Sequence, residues 1–144
     1  MRKYNILVTG IGAIIGYGII YSLKKSKYNI QIVGMDIFDD AVGQVWCDEF
    51  VQAISAADKH YSSFLKDTID RFDIDLVFFG TEQEIKRCCE CREELGDYYK
   101  KLVINKDNLI RLSEDKWNTL CFLKDQGLNY IPSSITAIFD EARR

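Results

Sequence analysis

Histidine and proline are almost missing from this chain of 144 residues: His60 is the only histidine and Pro132 the only proline. A single imidazole, flanked by Lys59 and Tyr61, cannot supply a credible Ser-His-Asp or Cys-His nucleophile system, and it leaves a four-ligand zinc site without workable partners. No uncharged apolar run reaches the roughly 18 residues that span a bilayer, so no membrane association is expected. Positive charge is not in excess either. The formal net charge is −3 and the pI about 5.2, which leaves no field to draw nucleic-acid phosphates or anionic lipid, and nucleic acid is excluded as an expected partner. No signal peptide is expected, because Met1-Arg2-Lys3-Tyr4-Asn5 leads straight into the strand-like Ile6-Leu7-Val8, and the five cysteines are an odd number. Both features lead to the expectation of a reducing, cytoplasmic compartment. Internal repeats and low-complexity segments are absent.

Apolar residues, at 47%, are sufficient for a packed core, and the length suits one domain of ordinary size. Tyr4 to Thr9 is a short β-branched run closed by glycine, as a strand buried on both faces should be. From Gly16, Ile19, Ile20 and Leu23 share one helical face, and Lys24, Lys25 and Lys27 gather where cations suit the helix dipole. Ile30 to Asp36 is a second strand, completing a βαβ unit whose right-handed crossover makes the pair parallel. Residues 37–60 show no sustained period and read as a short helix plus loop. Tyr61 to Phe72 has helical spacing, with Ser62 or Ser63 available as a cap. Ile74 to Gly80 reads as a third strand, Glu82 to Leu95 as a polar helix, Leu102 to Asn105 as a short fourth strand and Asp107 to Leu112 as a short helix. A further helix begins near Asp115. LNYIPSSI around Pro132 reads as an exit strand or linker, and Phe139-Asp140-Glu141-Ala142 as the opening of another helix. The alternation predicts an α/β fold: a Rossmann-like open parallel sheet of about four to five strands with helices on both faces. The expected division is 1–112 for this domain and 113–144 for a hinge helix and linker.

Thr9-Gly10-Ile11-Gly12-Ala13-Ile14-Ile15-Gly16 lies between the first strand and helix, where small residues allow a tight turn and close approach of a ligand. Its G-x-G-x-x-x-G spacing is one residue longer than the dinucleotide fingerprint. Asp36 stands where the ribose-binding acid of NAD proteins would stand, so an NAD(P)-binding module or oxidoreductase is the alternative reading. The Tyr-x-x-x-Lys pair of a short-chain reductase is matched only by Tyr21 and Lys25, on the first helix, and this match is taken as accidental. Glu82 and Glu84 open a helix after Gly80-Thr81; they are either dipole partners or groups that hold an amine in the cleft. Cys88, Cys89 and Cys91 read as an incidental helical cluster and no metal site, with Cys47 and Cys121 as small apolar residues.

Ser113-Glu114-Asp115-Lys116-Trp117-Asn118-Thr119, continued by Phe122-Leu123, Gly127 and Pro132-Ser133, joins the opening ILVTGIGAIIGYGIIYSLKKS, the middle VGMD and the turn GTEQE in one order. That set resembles the front, pre-ATP-grasp domain of ATP-grasp ligases, in the group similar to the carbamoyl-phosphate synthase large subunit. In that family a hinge helix of pattern D-K-x6-L-x3-G-x3-P follows the Rossmann-like domain. Asp115, Lys116, Leu123 and Gly127 match it, with Pro132 one residue late, and the resemblance runs from Asn5 to about Ser134.

The resemblance implies a full-length parent that uses ATP and Mg²⁺ for carboxylate-amine or carbamoyl-phosphate-synthase-like ligation through an acyl phosphate. The family's phosphate-binding lysines and magnesium ligands find no counterpart after Ser134. This chain alone is therefore expected to carry no catalytic residue, to need no cofactor and to be inactive. By the same analogy Gly10, Gly12 and Gly16 receive an anionic group on backbone N–H groups, Asp36, Glu82 and Glu84 shape the same mouth, and Lys116 is a candidate nucleotide contact. The implied partners are a small-molecule carboxylate or amine substrate and an ATP-grasp domain in cis or on a separate chain, with a homodimer as a further possible assembly.

Overall fold

The computed structural model describes residues 2–136, in two compact units, Met1–Ile104 and Asn105–Arg144. The first unit runs β1 (Lys3–Thr9), α1 (Ile14–Lys25), β2 (Asn29–Asp36), a 3-10 turn (Val42–Trp46), β3 (Glu49–Gln52), α2 (Tyr61–Arg71), β4 (Leu76–Phe78), α3 (Glu82–Glu90), α4 (Arg92–Leu95) and a second 3-10 turn (Gly96–Lys101). The strands form one parallel sheet in the order β3-β2-β1-β4, with Leu7 opposite Val33 on one side and Val77 on the other. This is the Rossmann-like open sheet expected from the alternating pattern.

Side chains alternate across a strand, so β1 serves both faces. Leu7 joins Val33, Met35 and Val77 under Leu65 and Ile69 of α2 and Cys88 of α3. Ile6 and Val8 join Ile32 on the opposite face, under Ile20 of α1 and beside Ala41 and Trp46. Each fully buried aliphatic side chain contributes about 1.5–3 kcal/mol relative to exposure, and both layers are required because a parallel sheet has no solvated face.

Several expectations are corrected. The segment 37–60 contains a strand, β3, which pairs with β2 from Val33 to Asp36. Four residues with two apolar ones, Phe50 and Val51, are too few to display a period. Neither Ser62 nor Ser63 caps α2. His60 is the N-cap, Ser63 donates to its carbonyl, and Ser62 instead donates to Glu94 at 2.6 Å. The polar helix of residues 82–95 is two helices, broken at Cys91 where ψ is 27°. The fourth strand at 102–105 is reduced to one parallel bridge, Val77 to Leu102. Helix α1 begins two residues earlier than Gly16.

In the second unit α5 (Asp107–Glu114) and α6 (Lys116–Asp125) meet at Asp115. The Asp115 carboxylate accepts the amides of Trp117 and Asn118 at 2.7 and 3.0 Å, which makes it a side-chain N-cap. Residues 126–136 form no regular element, and the helix expected from Phe139 lies outside the described residues. Among the described residues, no helix is long and apolar enough to cross a membrane.

Candidate functional site

The order β3-β2-β1-β4 reverses direction between β1 and β4, and an open parallel sheet accepts ligands beyond the carboxyl ends of its strands at such a point. A cleft of about 780 Å³ lies there. Its walls come from four strand ends: Gly10, Gly12 and Ala13 after β1, Asp36 to Phe38 after β2, Ile54 to Ala57 after β3, and Thr81, Gln83 and Glu84 after β4. Asp40 to Val42 completes the rim.

The glycine turn is shaped by contact. Gly10 has φ +59°, and a Cβ there would meet Thr81 Cγ2 at 2.7 Å, so the β1 and β4 turns touch backbone to side chain. A Cβ on Gly16 would collide with the Gly10 carbonyl oxygen, so this glycine lets α1 pack on the turn. Gly16 does not line the cleft. Gly12 donates its N–H to Asp36 Oδ2 at 2.8 Å, and Phe38 donates to Asp36 Oδ1 at 3.1 Å. Asp36 therefore has both oxygens engaged in holding the glycine turn and the chain that leaves β2. The Ala13 amide is taken by the Gly10 carbonyl at 3.0 Å and the Ile11 amide by Met35 at 3.4 Å. Of the glycines Gly10, Gly12 and Gly16, which the sequence reading assigns to an incoming anion, Gly12 has its amide already satisfied within the protein, as does the neighbouring Ala13.

Glu84 is buried at the inner end of the cleft, 8% exposed. Its Oε2 accepts the hydroxyls of Thr9 at 2.5 Å and Thr81 at 2.7 Å, and its Oε1 accepts the Tyr61 hydroxyl at 3.0 Å. Thr9 in turn accepts the Gly80 amide at 3.3 Å. One carboxylate thus ties together the ends of β1 and β4 and the start of α2. Burial, and then the Glu84 charge, pushes the Tyr61 phenol far above its ordinary range, so it serves only as a donor here.

Of the six residues singled out for substrate, Gly10, Gly12, Asp36 and Glu84 meet at the cleft. Gly16 stands behind it as a packing residue and Glu82 is exposed in the first turn of α3, away from the lining. Lys116 lines a groove within the second unit, with Thr119, Leu123 and Tyr130. Tyr21 and Lys25 stack on the exposed side of α1, the ammonium 5.6 Å from the ring centre. Cys88 and Cys91 are core residues whose thiols burial drives upward, and Cys89 lies 3.8 Å from the Tyr99 hydroxyl. Among the described residues, no group of three or more His, Cys, Asp or Glu side chains converges as metal ligands would.

The sequence reading missed Thr9, Tyr61 and Thr81, which hold Glu84, and Phe38 and Asp40 on the rim. Thr9 carried a signal, being a hydroxyl at the end of an otherwise apolar strand. Tyr61 carried none, because an aromatic residue at a helix start reads as core.

No family model matches the chain, and no curated protein sequence matches it significantly. Among solved structures, a dTDP-glucose 4,6-dehydratase from Bacillus anthracis in complex with NAD is similar with a TM-score of 0.49 and 18% identity, over 69% of this chain and 35% of that one. N5-carboxyaminoimidazole synthetase from Staphylococcus aureus, in one crystal structure complexed with ADP and in another, is similar with TM-scores of 0.61 and 0.62 and 21% identity. Those two matches cover 91% of this chain and 32% of the synthetase, so the chain spans about a third of the length of that protein. The likeness to the synthetase, carried by nearly all of this chain, shows that it has the fold of a pre-ATP-grasp domain.

Proposed function

We propose that the chain is the substrate-side domain of an ATP-grasp ligase, the part that forms one wall of the active cleft. The observation that carries this reading is the fit of 91% of the chain to a third of a synthetase solved with ADP, with an open cleft at the switch point of the shared sheet. The hinge pattern adds support: Asp115, the first residue of D-K-x6-L-x3-G, caps α6 with its side chain, which gives that residue type a physical reason. The parent joins a carboxylate to an amine, or performs the carbamoyl-phosphate-synthase-like equivalent, through an acyl phosphate. ATP and Mg²⁺ are held by the ATP-grasp part, in cis or on a separate chain, in the cytoplasm.

Exposed apolar side chains support a partner. Ile14 at the start of α1 is 80% exposed and Val45 of the first 3-10 turn is 77% exposed, and the rings of Tyr17 and Trp46, 4.8 Å apart, join those two segments. Such residues next to a cleft mark a surface that another polypeptide covers.

The test has two arms. Coding sequence downstream of Arg144, or a neighbouring gene, is read for an ATP-grasp part, which is then produced together with this chain and assayed for ADP release. The expected result is turnover only with both parts present. Turnover by the ATP-grasp part at the same rate without this chain, or micromolar binding of NAD(H) or NADP(H) to the chain alone, overturns the proposal.

A further inference from the structure

The cleft has a sign. Three charged side chains line it, Asp36, Asp40 and Glu84, and all are carboxylates; no lysine, arginine or histidine is among the lining residues. We propose that the cleft takes an organic cation, a protonated primary amine carried on a mostly apolar or aromatic skeleton. The inference rests on the reading of this cleft as the substrate wall and chooses the amine over the carboxylate as the group it receives.

The size and lining carry the skeleton. A volume of about 780 Å³ lies in the range of small-molecule pockets. Ile37 and Phe38 remain at least half exposed on one wall, and Ile54, Ala56 and Ala57 face the same space. Apolar surface held open at the mouth of a sheet is where the body of a ligand is buried.

Electrostatics carries the charge. The hydroxyls and amides bonded to Glu84 and Asp36 are dipoles: they offset the cost of burying the carboxylates but leave the net negative charge in place. Asp40 forms no hydrogen bond or ion pair among the described residues, so its carboxylate is available at the rim. The opposing influence is the positive end of α1. Its first-turn residues Ile14 and Ile15 do not line the cleft, and the amides of Gly12 and Ala13 are engaged internally. An anion entering here meets like charge without a compensating cation.

The test compares benzylamine, benzyl alcohol and benzoate, which share a ring and differ in charge, on the 144-residue chain by amide NMR titration at millimolar concentrations. The expected result is saturable shifts at Gly10, Gly12, Phe38 and Ala56, with the amine bound about tenfold more tightly than benzoate and the alcohol between them. Asp40→Asn, checked for an unchanged melting temperature, should lower the amine's affinity about threefold and leave the alcohol's unaltered. Binding of benzoate as tight as that of benzylamine overturns the charge assignment while the cleft stands as a substrate wall. No shift of those amides with any of the three removes the cleft as a ligand site, and the functional reading of it falls as well.

Discussion

Replacing Glu84 by glutamine keeps the shape of the side chain and removes its charge, which isolates the knot at the inner end of the cleft. In the native chain two carboxylate oxygens accept three hydroxyls, from Thr9, Thr81 and Tyr61. Glutamine offers one accepting oxygen, so either the two threonines or the tyrosine must face an NH₂ group. Hydrogen bonds to a charged group are worth about 1.5–3 kcal/mol and neutral ones about 0.5–1.5 kcal/mol, so three bonds lose roughly 3–4 kcal/mol in total. Relief of burying a charge returns part of that, and the net loss is put at about 2 kcal/mol. Glu84→Ala leaves three buried hydroxyls without an acceptor and opens a cavity, for a loss of about 4 kcal/mol. For a chain of this size 1 kcal/mol moves Tm by about 3–4 °C, so Glu84→Gln should melt roughly 7 °C lower.

The assay is urea and thermal unfolding followed by circular dichroism on Glu84→Gln, Tyr61→Phe and the double variant. Tyr61 and Glu84 share a hydrogen bond, so the cycle should show about 1 kcal/mol of coupling. If Glu84→Gln unfolds within about 0.5 kcal/mol of the parent chain, or the two changes add without coupling, Glu84 does not tie the strand ends together.

Further outcomes follow from the same geometry. Gly16→Ala places a Cβ on the Gly10 carbonyl and should cost about 3 kcal/mol or more in denaturant unfolding; Gly18→Ala, on the same helix and facing open space, should stabilise by about 0.5–1 kcal/mol. Alkaline titration gives a sign that can be checked. Cys47 is raised to about 11 and Cys88 and Tyr61 are raised as well, so the folded chain keeps protons that the unfolded chain releases, and these groups' stability is complete below pH 9. Stability should fall as pH rises past about 9, by up to about 1.4 kcal/mol per pH unit for buried Cys88, with Tyr61 adding its share above about 10; Cys88→Ala should flatten the first part of the decline. At pH 8 iodoacetamide should modify Cys88 and Cys91 only on unfolding, read by mass spectrometry of the digested chain. Asp115→Ala removes the side-chain cap of α6 and should lower helicity and cost about 1 kcal/mol.

What could be read from the sequence divides along a physical line. The inner strands were legible because burial on both faces demands a continuous apolar run, as in Tyr4 to Thr9 and Ile30 to Asp36. β3 was not, because an edge strand of four residues is specified by its neighbour β2 rather than by its own composition. The break at Cys91 had no proline or glycine to announce it. At the cleft, the glycines were recognisable because close approach admits no other residue: Gly10 against Thr81, Gly16 against Gly10. The roles of the acids were not, since residue type alone does not say which donors a carboxylate meets. Asp36 had two readings, ribose acid or wall of the substrate mouth, and the amides of Gly12 and Phe38 decide how its oxygens are used.

The use of those acids bears on what an open α/β cleft does with its glycine turn. In a dinucleotide-binding turn, free amides at the helix N-terminus are the recognition element and the ligand supplies the negative charge. Here Asp36 occupies the Gly12 amide from within, and Glu84 stands nearby on the other wall, so the negative charge is built into the protein. The same backbone bend thereby forms an electronegative wall where a dinucleotide-binding turn presents an anion receptor. A pyrophosphate placed against such a wall would meet like charge at the point where a free-amide turn would bind it.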